Sequence, residues 1–437
     1  MTPLRVVAAC VAAVGVLAAA IVLLTRDDGA PRARERLVAA PAQVRPSVLV
    51  DANGAVLEQF SGDCGASRLP YLCERVRAEL LASNAGLLKG TGLTIRTAID
   101  PRTQEAAQRG IDSHVGRDDE HVAAQAMIVP GTGEIRALAT SHGNAPGLMQ
   151  GSTAMVYTLA AALENGLRYA DGLPHSREYR APKYSSFKNC RGENIGDPTH
   201  SVVNDTNAPG DFTTLETGTR ATDNAFFLKL TERVGLCQSV EMARRLGLSR
   251  ADGMPLQEYE TFALGINEVD PIALAGTYAT LAAHGKRCAP RVVTEVRGEG
   301  GFARTFPARC EQALEAPVAD AVTGVLTGAL ARSPLKGLGR DAAGMTGNVD
   351  NDTSASYAGY TPDLASAVTL GHPDDVRKHR LADVSLGGKR YPTVSGTTVP
   401  GPIWKDSMRA ALDGTAETPF TAPDTARFGG CRDACAN

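Results

Sequence analysis

A serine hydroxyl is a residue type that can act as a nucleophile, and one serine stands at the start of a predicted helix. Ser152 opens the helical pattern of residues 152–163, and its hydroxyl could attack a carbonyl carbon only if a base removed its proton. The nearest histidine in sequence is His142, and a lone histidine more often packs or lies in a loop than acts as a base. The other interpretation of Ser152 is a helix-start residue whose hydroxyl satisfies backbone N–H groups.

Eight cysteines beyond the N-terminal apolar segment predict disulfides in an oxidising compartment. The sequence has no C-x-x-C pair and no histidine pair at zinc-ligand spacing, so we expect neither a metal nor a cofactor. Eight cysteines allow 105 pairings, and free buried thiols are the alternative. The short-range pairing that we expect is Cys64–Cys73, Cys190–Cys237, Cys288–Cys310 and Cys431–Cys435.

Several segments resemble the transpeptidase domain of penicillin-binding proteins, in that family's order, over about residues 67–412. Residues 151–164 are similar to the nucleophile helix, residues 221–226 to the Ser-x-Asn segment, and residues 343–347 to the Lys-Thr-Gly strand. Residues 71–81 are similar to the stretch that precedes this domain in bifunctional members, although too few residues come before it for a glycosyltransferase domain. The further matches are residues 94–107, 130–135, 264–265, 268–271, 359–364 and 402–405.

The resemblance implies a site for serine acyl transfer. In the family, the serine attacks a D-Ala-D-Ala peptide or a β-lactam, and a lysine three residues later on the same helix face takes its proton. The Ser-x-Asn residues pass protons and orient the substrate. The lysine of the third motif steers the substrate carboxylate, and its strand supplies an N–H to the oxyanion hole.

This sequence keeps Ser152 but departs from the family at the charged positions. Met155 and Met345 stand where the two lysines would be. Methionine fills a similar space but cannot accept a proton or carry charge, and both residues could equally be ordinary core residues. General-base catalysis contributes about 10²- to 10⁴-fold, so we expect acylation to be lost or very slow. The other positions carried over from the motifs are Thr222 in place of the serine, the retained Asn224, Thr346 and Gly347, and Asn348 in place of a hydroxyl residue.

Composition and the N-terminus restrict the class of protein. Lys plus Arg is 45 and Asp plus Glu is 48, and no long basic run appears, so we expect no nucleic-acid partner. Residues 6–24 form an uncharged apolar run that is long enough to span a bilayer as a helix. We expect an uncleaved signal anchor with the rest of the chain extracytoplasmic, and a cleaved signal peptide is the alternative.

The remaining pattern predicts an α+β domain, and the resemblance implies a central antiparallel sheet flanked by helices with a cleft at one sheet edge. We expect a membrane anchor over residues 1–25, a linker and small N-terminal region over 26–90, the transpeptidase-like domain over 91–412, and a C-terminal tail over 413–437. The predicted strands include residues 122–129, 134–140, 342–346, 356–360 and 365–370, and the predicted helices include residues 71–81, 224–234, 240–246 and 271–284.

By resemblance, the chain is expected to act in the bacterial cell envelope alongside peptidoglycan synthesis. The hypothesis is a degenerate enzyme that binds peptidoglycan, its precursors or cell-wall synthesis proteins as a scaffold, regulator or ligand-binding protein. The alternative is an active serine D,D-transpeptidase or carboxypeptidase that penicillin acylates at Ser152.

Overall fold

The structure, a computed structural model, describes residues 45–204 and 210–436. The predicted membrane segment, residues 6–24, lies outside these ranges. No helix within them is long and apolar enough to cross a bilayer.

A five-stranded antiparallel sheet forms the centre of the fold, as the resemblance implied. Its strands are buried along their length on both faces, which explains why their small and apolar residues do not alternate with polar ones. Two glycines and Met345 lie in the strand at one edge, hereafter the edge strand, Ala343–Asn348. In spatial order the strands are Ala343–Asn348, Ser354–Tyr360, Ala365–Gly371, Val122–Ile128 and Ile135–Thr140.

Helices cover both faces of the central sheet. On one face, Pro101–Asp112 and Pro400–Leu412 pack together and enclose the fully buried Trp404. On the other face lie Pro271–Ala282 and Ala316–Ala331. Asp100 and Asp270 each accept a backbone N–H bond at the start of a helix whose first residue is proline, so the sequence itself sets these two starts. The other helices are Pro70–Ser83, Met155–Glu164, Leu215–Ala221, Asn224–Val234, Leu236–Leu246 and Thr425–Phe428.

Residues 47–60, with Asn53-Gly54 at a turn, predict a small hairpin, and the structure places it in a second five-stranded sheet that the sequence did not predict. The predicted hairpin is present as Ser47–Val50 and Val56–Phe60. Its first strand also pairs in parallel with Thr94–Thr97, which in turn pairs with Val293–Arg297. The strand Ala303–Thr305 completes this sheet.

The remaining strands of the described residues form two-stranded sheets. They are Leu148–Met149, Gly172–Pro174, Glu178–Tyr179, Val202–Val203, Phe212–Thr214, Glu268–Val269, Lys286–Cys288, Cys310–Gln312, Ala382–Leu386 and Lys389–Thr393.

All four expected disulfides are present: Cys64–Cys73, Cys190–Cys237, Cys288–Cys310 and Cys431–Cys435. The third joins two facing strands, because Cys288 and Cys310 are partners in the register of Lys286–Cys288 and Cys310–Gln312. These bonds confirm the predicted pairing and leave none of the eight cysteines as a free thiol.

The C-terminal residues, expected as a tail, pack against the domain. Phe428 is fully buried, and its carbonyl accepts a hydrogen bond from the Tyr169 N–H at 2.9 Å. The Asp171 carboxylate, 1% exposed, accepts N–H bonds from Arg432, Asp433 and Ala434 at 2.7–3.0 Å. One buried carboxylate therefore anchors the segment that the last disulfide closes.

Candidate active site

The turn that carries Ser152 is held against the end of the edge strand. Residues Gly151–Ala154, hereafter the serine turn, form one turn of 3-10 helix that continues into Met155–Glu164. Gly151 has φ +62°, and a Cβ atom there would lie 2.5 Å from the Asn348 carbonyl oxygen. Only glycine allows this approach, which brings Ser152 beside Asn348.

Neighbouring elements hold the serine turn through hydrogen bonds to its backbone. The Gly265 carbonyl accepts the Gln150 N–H at 3.1 Å, and the Ser356 hydroxyl donates to the Gln150 carbonyl at 2.7 Å. The Tyr278 hydroxyl donates to the Thr153 carbonyl at 3.0 Å. The turn is thus fixed from the central sheet and from the helix behind it.

Ser152 does not cap the helix. It is 8% exposed, its side chain lines a cavity, and its hydroxyl has no hydrogen-bond partner among the described residues. The N-cap positions of the turn and of the helix are Gln150 and Ala154. The structure therefore does not support the capping interpretation, and the hydroxyl is available to a ligand.

Both methionines at the lysine positions are core residues. Met155 is 0% exposed and Met345 is 3% exposed, and both belong to the main hydrophobic core. No lysine lines the cavity within the described part of the chain. Lys229, five residues after Asn224 in sequence, points elsewhere, because its Nζ donates to the Pro174 carbonyl at 2.9 Å. Among the described residues, the cavity is therefore lined by a serine hydroxyl and by no lysine amine.

The second motif lies at the junction of two helices. Thr222, in the left-handed region at φ +50°, ends the helix Leu215–Ala221, and its hydroxyl donates to the Ala221 carbonyl at 2.7 Å. Asp223 caps the next helix by accepting the Phe226 N–H at 2.8 Å. Asn224, the first residue of that helix, is 9% exposed, and both Thr222 and Asn224 line the cavity with Ser152.

The third motif retains the backbone path of the edge strand. A Cβ at Gly347 would lie 2.1 Å from the Gln150 carbonyl oxygen, so glycine permits this contact too. The Asn348 Oδ1 accepts the Gly396 N–H at 2.7 Å, and Asn348 lines the cavity. The Thr346 hydroxyl is buried, and no described residue lies within hydrogen-bonding reach of it.

The cavity beside Ser152 has a volume of about 540 Å³. Its polar lining includes Ser152, Thr222 and Asn224, and two arginines, Arg377 and Arg380, also line it. The apolar part of its wall consists of Met149, Val202, Leu264, Ile266 and Val349. This combination of a hydroxyl, an amide, apolar surface and cations is suited to binding a small polar ligand with an anionic group.

The histidine that lines the cavity is His200, which sequence reasoning did not single out. Its Nδ1 lies 3.5 Å from a carboxylate oxygen of Glu260, a buried residue whose other oxygen accepts the Asp197 N–H at 2.7 Å. His142, the histidine nearest in sequence, instead contacts the Ser141 hydroxyl at 3.2 Å and lines a different cavity. Neither His200 nor the arginines have a sequence spacing that relates them to Ser152.

Two clusters of metal-ligand residue types occur among the described residues. They are Asp171 with Cys431 and Cys435, and Glu241 with Cys190 and Cys237. In both, the cysteines are joined to each other in a disulfide, so no thiolate is available as a ligand.

Comparison with known proteins relates the chain to penicillin-binding proteins by sequence. It is 29% identical over 375 residues to penicillin-binding protein 1A of Mycolicibacterium smegmatis, covering 79% of this chain and 45% of that protein. It is 30% identical over 371 residues to penicillin-binding protein 1A of Mycobacterium tuberculosis, covering 79% and 43%. The chain thus spans less than half the length of these curated relatives. No family model matches it.

Solved structures share the fold. Penicillin-binding protein PonA1 of M. tuberculosis superposes with a TM-score of 0.67 at 24% identity, over 83% of this chain and 95% of that one. Its complex with penicillin V gives a TM-score of 0.61 at 26% identity, over 80% and 94%. A ceftriaxone acyl-enzyme complex of M. tuberculosis penicillin-binding protein A gives 0.61 at 19% identity, over 85% and 99%.

Proposed function

Because the homologues of this chain are penicillin-binding proteins and its fold is that of their transpeptidase domain, we propose that it is a catalytically degenerate relative. It acts in the cell envelope in association with peptidoglycan synthesis, anchored to the membrane by residues 6–24. Its cleft binds a cell-wall peptide without forming an acyl-enzyme, which suits a scaffold or regulator. The observation that carries this proposal is a buried methionine at each of the two lysine positions.

The chemistry of acylation explains why these two positions matter. A serine hydroxyl must lose its proton as it attacks, and Met155 cannot accept one. The missing general base removes about 10²- to 10⁴-fold in rate, or roughly 3–5 kcal/mol of barrier lowering. Met345 removes the charge that would steer a carboxylate from the edge strand. The cavity and its polar groups remain, which supports binding without turnover.

A fluorescent penicillin tests the proposal directly. The folded, disulfide-bonded full chain is incubated with the label, and its intact mass is followed over hours beside an active penicillin-binding protein. We expect no adduct on this chain and complete labelling of the active protein. A stoichiometric adduct that maps to Ser152 and disappears in Ser152→Ala would refute the degenerate assignment.

Restoring both lysines is the complementary experiment. The double substitution Met155→Lys and Met345→Lys should raise the acylation rate by about 10²-fold or more, because it returns a base and a cation to the turn and the edge strand. Burial at position 155 also favours the neutral amine that can act as a base. Met242→Lys is the matched control, because Met242 is also buried but does not line the cavity, and it should gain no acylation.

A second candidate function, slow acyl transfer at Ser152, is favoured by one observation. His200, paired with the buried Glu260, lines the same cavity as the unpartnered Ser152 hydroxyl and has the chemistry of a base. If acylation occurs, His200→Ala should abolish it, whereas His142→Ala should leave it unchanged. Acylation that survives His200→Ala would remove this candidate.

A further inference from the structure

One loop brings two guanidinium groups to the cavity that contains Ser152. Residues 372–380, hereafter the arginine loop, connect the central-sheet strand Ala365–Gly371 to the outer strand Ala382–Leu386. Arg377 and Arg380 both line the cavity. They enter it from a loop that carries none of the three sequence motifs.

The arginine loop is anchored at both ends. The ring of His372 stacks on that of His379 with centroids 3.8 Å apart, and the His379 carbonyl lies 3.2 Å from Nε2 of His121. Leu381, next to Arg380, is fully buried and donates its N–H to the Asp352 carbonyl at 2.6 Å. Arg380 is thus flanked by two fixed residues, so its backbone position beside the cavity is set by packing.

The two arginines have no carboxylate partner among the described residues. The third cation of the loop, Lys378, pairs with Asp375 at 2.9 Å, whereas no described carboxylate lies within 4.0 Å of the guanidinium group of Arg377 or Arg380. Asp350 also lines the cavity and has an interaction of its own. The cations that face the cavity therefore outnumber its carboxylates within the described part of the chain, and an anion entering it is attracted.

We propose that Arg377 and Arg380 form an anion-binding pair that holds the terminal carboxylate of a peptide ligand. The arginine loop then supplies the positive charge that Met345 removes from the edge strand. A guanidinium group suits this role because its planar array of donors matches a carboxylate bidentately and stays charged at any physiological pH. The inference rests on the proposed ligand-binding function of the cleft and adds the chemical class of the ligand.

A matched pair of peptides tests this assignment. Diacetyl-L-lysyl-D-alanyl-D-alanine and its C-terminal amide differ only in the terminal charge, and each is titrated calorimetrically into full-length Ser152→Ala protein, which cannot form an acyl-enzyme. We expect the acid to bind about tenfold or more tightly than the amide, the preference that one charge-assisted hydrogen bond supplies. Arg377→Ala with Arg380→Ala should abolish that preference.

Lys378→Ala provides the matched control, because it removes a cation from the same loop that does not line the cavity. It should keep the full preference for the acid, and melting temperatures confirm that the variants fold. Equal binding of acid and amide, no binding of either, or a preference that survives the double substitution would each overturn the inference. So would arginine-dependent binding of inorganic phosphate without binding of the acid, since the ligand would then be a phosphate.

Failure of the anion pair and failure of the proposed catalytic degeneracy give different experimental results. An acyl adduct on wild-type Ser152 would refute catalytic degeneracy, while the Ser152→Ala titration would still report whether the arginines recognise the carboxylate. Conversely, an unlabelled wild type whose cavity does not discriminate acid from amide would retain the degenerate assignment and lose the anion pair.

Discussion

Ser152 keeps its place in the fold while the groups that would activate it are absent. Its hydroxyl neither caps a helix nor forms a hydrogen bond with a described residue, so it adds no hydrogen bond to the native state. Its position results instead from Gly151 and from bonds to the backbone of neighbouring residues. A side chain that does not stabilise the fold but lines a cavity is suited to contact with a ligand.

Replacing this serine should therefore cost little stability. We expect Ser152→Ala to change the free energy of unfolding by less than about 0.5 kcal/mol, the range of substitutions that remove no native contact. Asp223→Ala, between two residues that line the cavity, is the matched comparison, because it removes a helix cap and should cost about 1 kcal/mol. Chemical denaturation measures both, and a cost for Ser152→Ala equal to that of Asp223→Ala would show that the hydroxyl has a structural role.

Single site residues could be predicted from the sequence where they belong to a motif. Ser152, Asn224 and Asn348, each predicted from a motif, line one cavity. His200, Arg377 and Arg380 reach that cavity from loops, and loop residues have no period that predicts where their side chains point. Consequently His142, the histidine nearest to Ser152 in sequence, lines a different cavity, whereas His200 lines the cavity that contains Ser152.

At the scale of elements, two histidines of the arginine loop, His372 and His379, lie beside His121, and this histidine cluster makes the stability of the loop depend on pH. Burial lowers the pKa of His121, and the neighbouring His372 and His379 lower it further, although the His379 carbonyl and Glu120 act in the opposite direction. Nδ1 of His379 also lies 3.4 Å from a carboxylate oxygen of Glu120. The backbone N–H groups of Asp374 and Asp375 donate to Nδ1 of His372. Protonation of His121 is therefore disfavoured in the folded state.

Acidification should loosen the arginine loop. Because the folded pKa of His121 lies below its unfolded value of about 6.5, its contribution to stability is present above that pH and is lost as the pH falls toward the folded pKa. We expect faster amide hydrogen exchange in residues 372–381 at pH 5.5 than at pH 7.5, after correction for intrinsic rates. His121→Gln should reduce this pH dependence, and His114→Gln, outside the cluster, should not. Equal protection at both pH values would contradict the coupling.

The helices and strands that could be predicted from the sequence are those whose residue pattern lies within one continuous segment. The strands of the central sheet were found because their small and apolar residues form continuous runs. The helices predicted over residues 71–81, 224–234 and 271–284 are present as Pro70–Ser83, Asn224–Val234 and Pro271–Ala282. The expected helix start at Ser152 was wrong in type, since the α-helix begins at Met155 after a 3-10 turn. The second sheet escaped prediction because it combines strands from residues 47–60, 94–97 and 293–305, and only tertiary pairing reveals that.

For the molecule as a whole, Asp171 links the C-terminal segment to the rest of the domain. Burial alone would raise its pKa, but backbone N–H bonds from Asp433, Ala434, Arg168 and Arg432 together hold the pKa of this carboxyl below its usual range. The stabilisation it supplies is therefore present above the unfolded pKa of about 3.9 and is lost as the pH falls through the lower folded value.

Neutralising this carboxylate should release the segment. We expect Asp171→Asn to expose residues 415–436 to limited proteolysis at pH 7. The free energy of unfolding should fall by about 1.5–3 kcal/mol, the range for hydrogen bonds to a charged group. Asp433→Asn provides a control, because that side chain is mostly exposed and makes a surface ion pair with Arg233. Intact-mass analysis of the digests measures the release, and equal protection of wild type and Asp171→Asn would show that Phe428 and its neighbours suffice to hold the segment.

The Asp171 contact also constrains the timing of biogenesis. Three of the four amide groups that donate to this carboxylate lie 261 to 263 residues further along the chain. At roughly 5–20 residues per second, the ribosome needs on the order of tens of seconds to make them after Asp171 emerges. Throughout that interval this corner of the domain is incomplete while the serine turn has already been synthesised. The hydrogen bonds of this carboxylate to the final segment therefore form only after nearly the whole chain has been made.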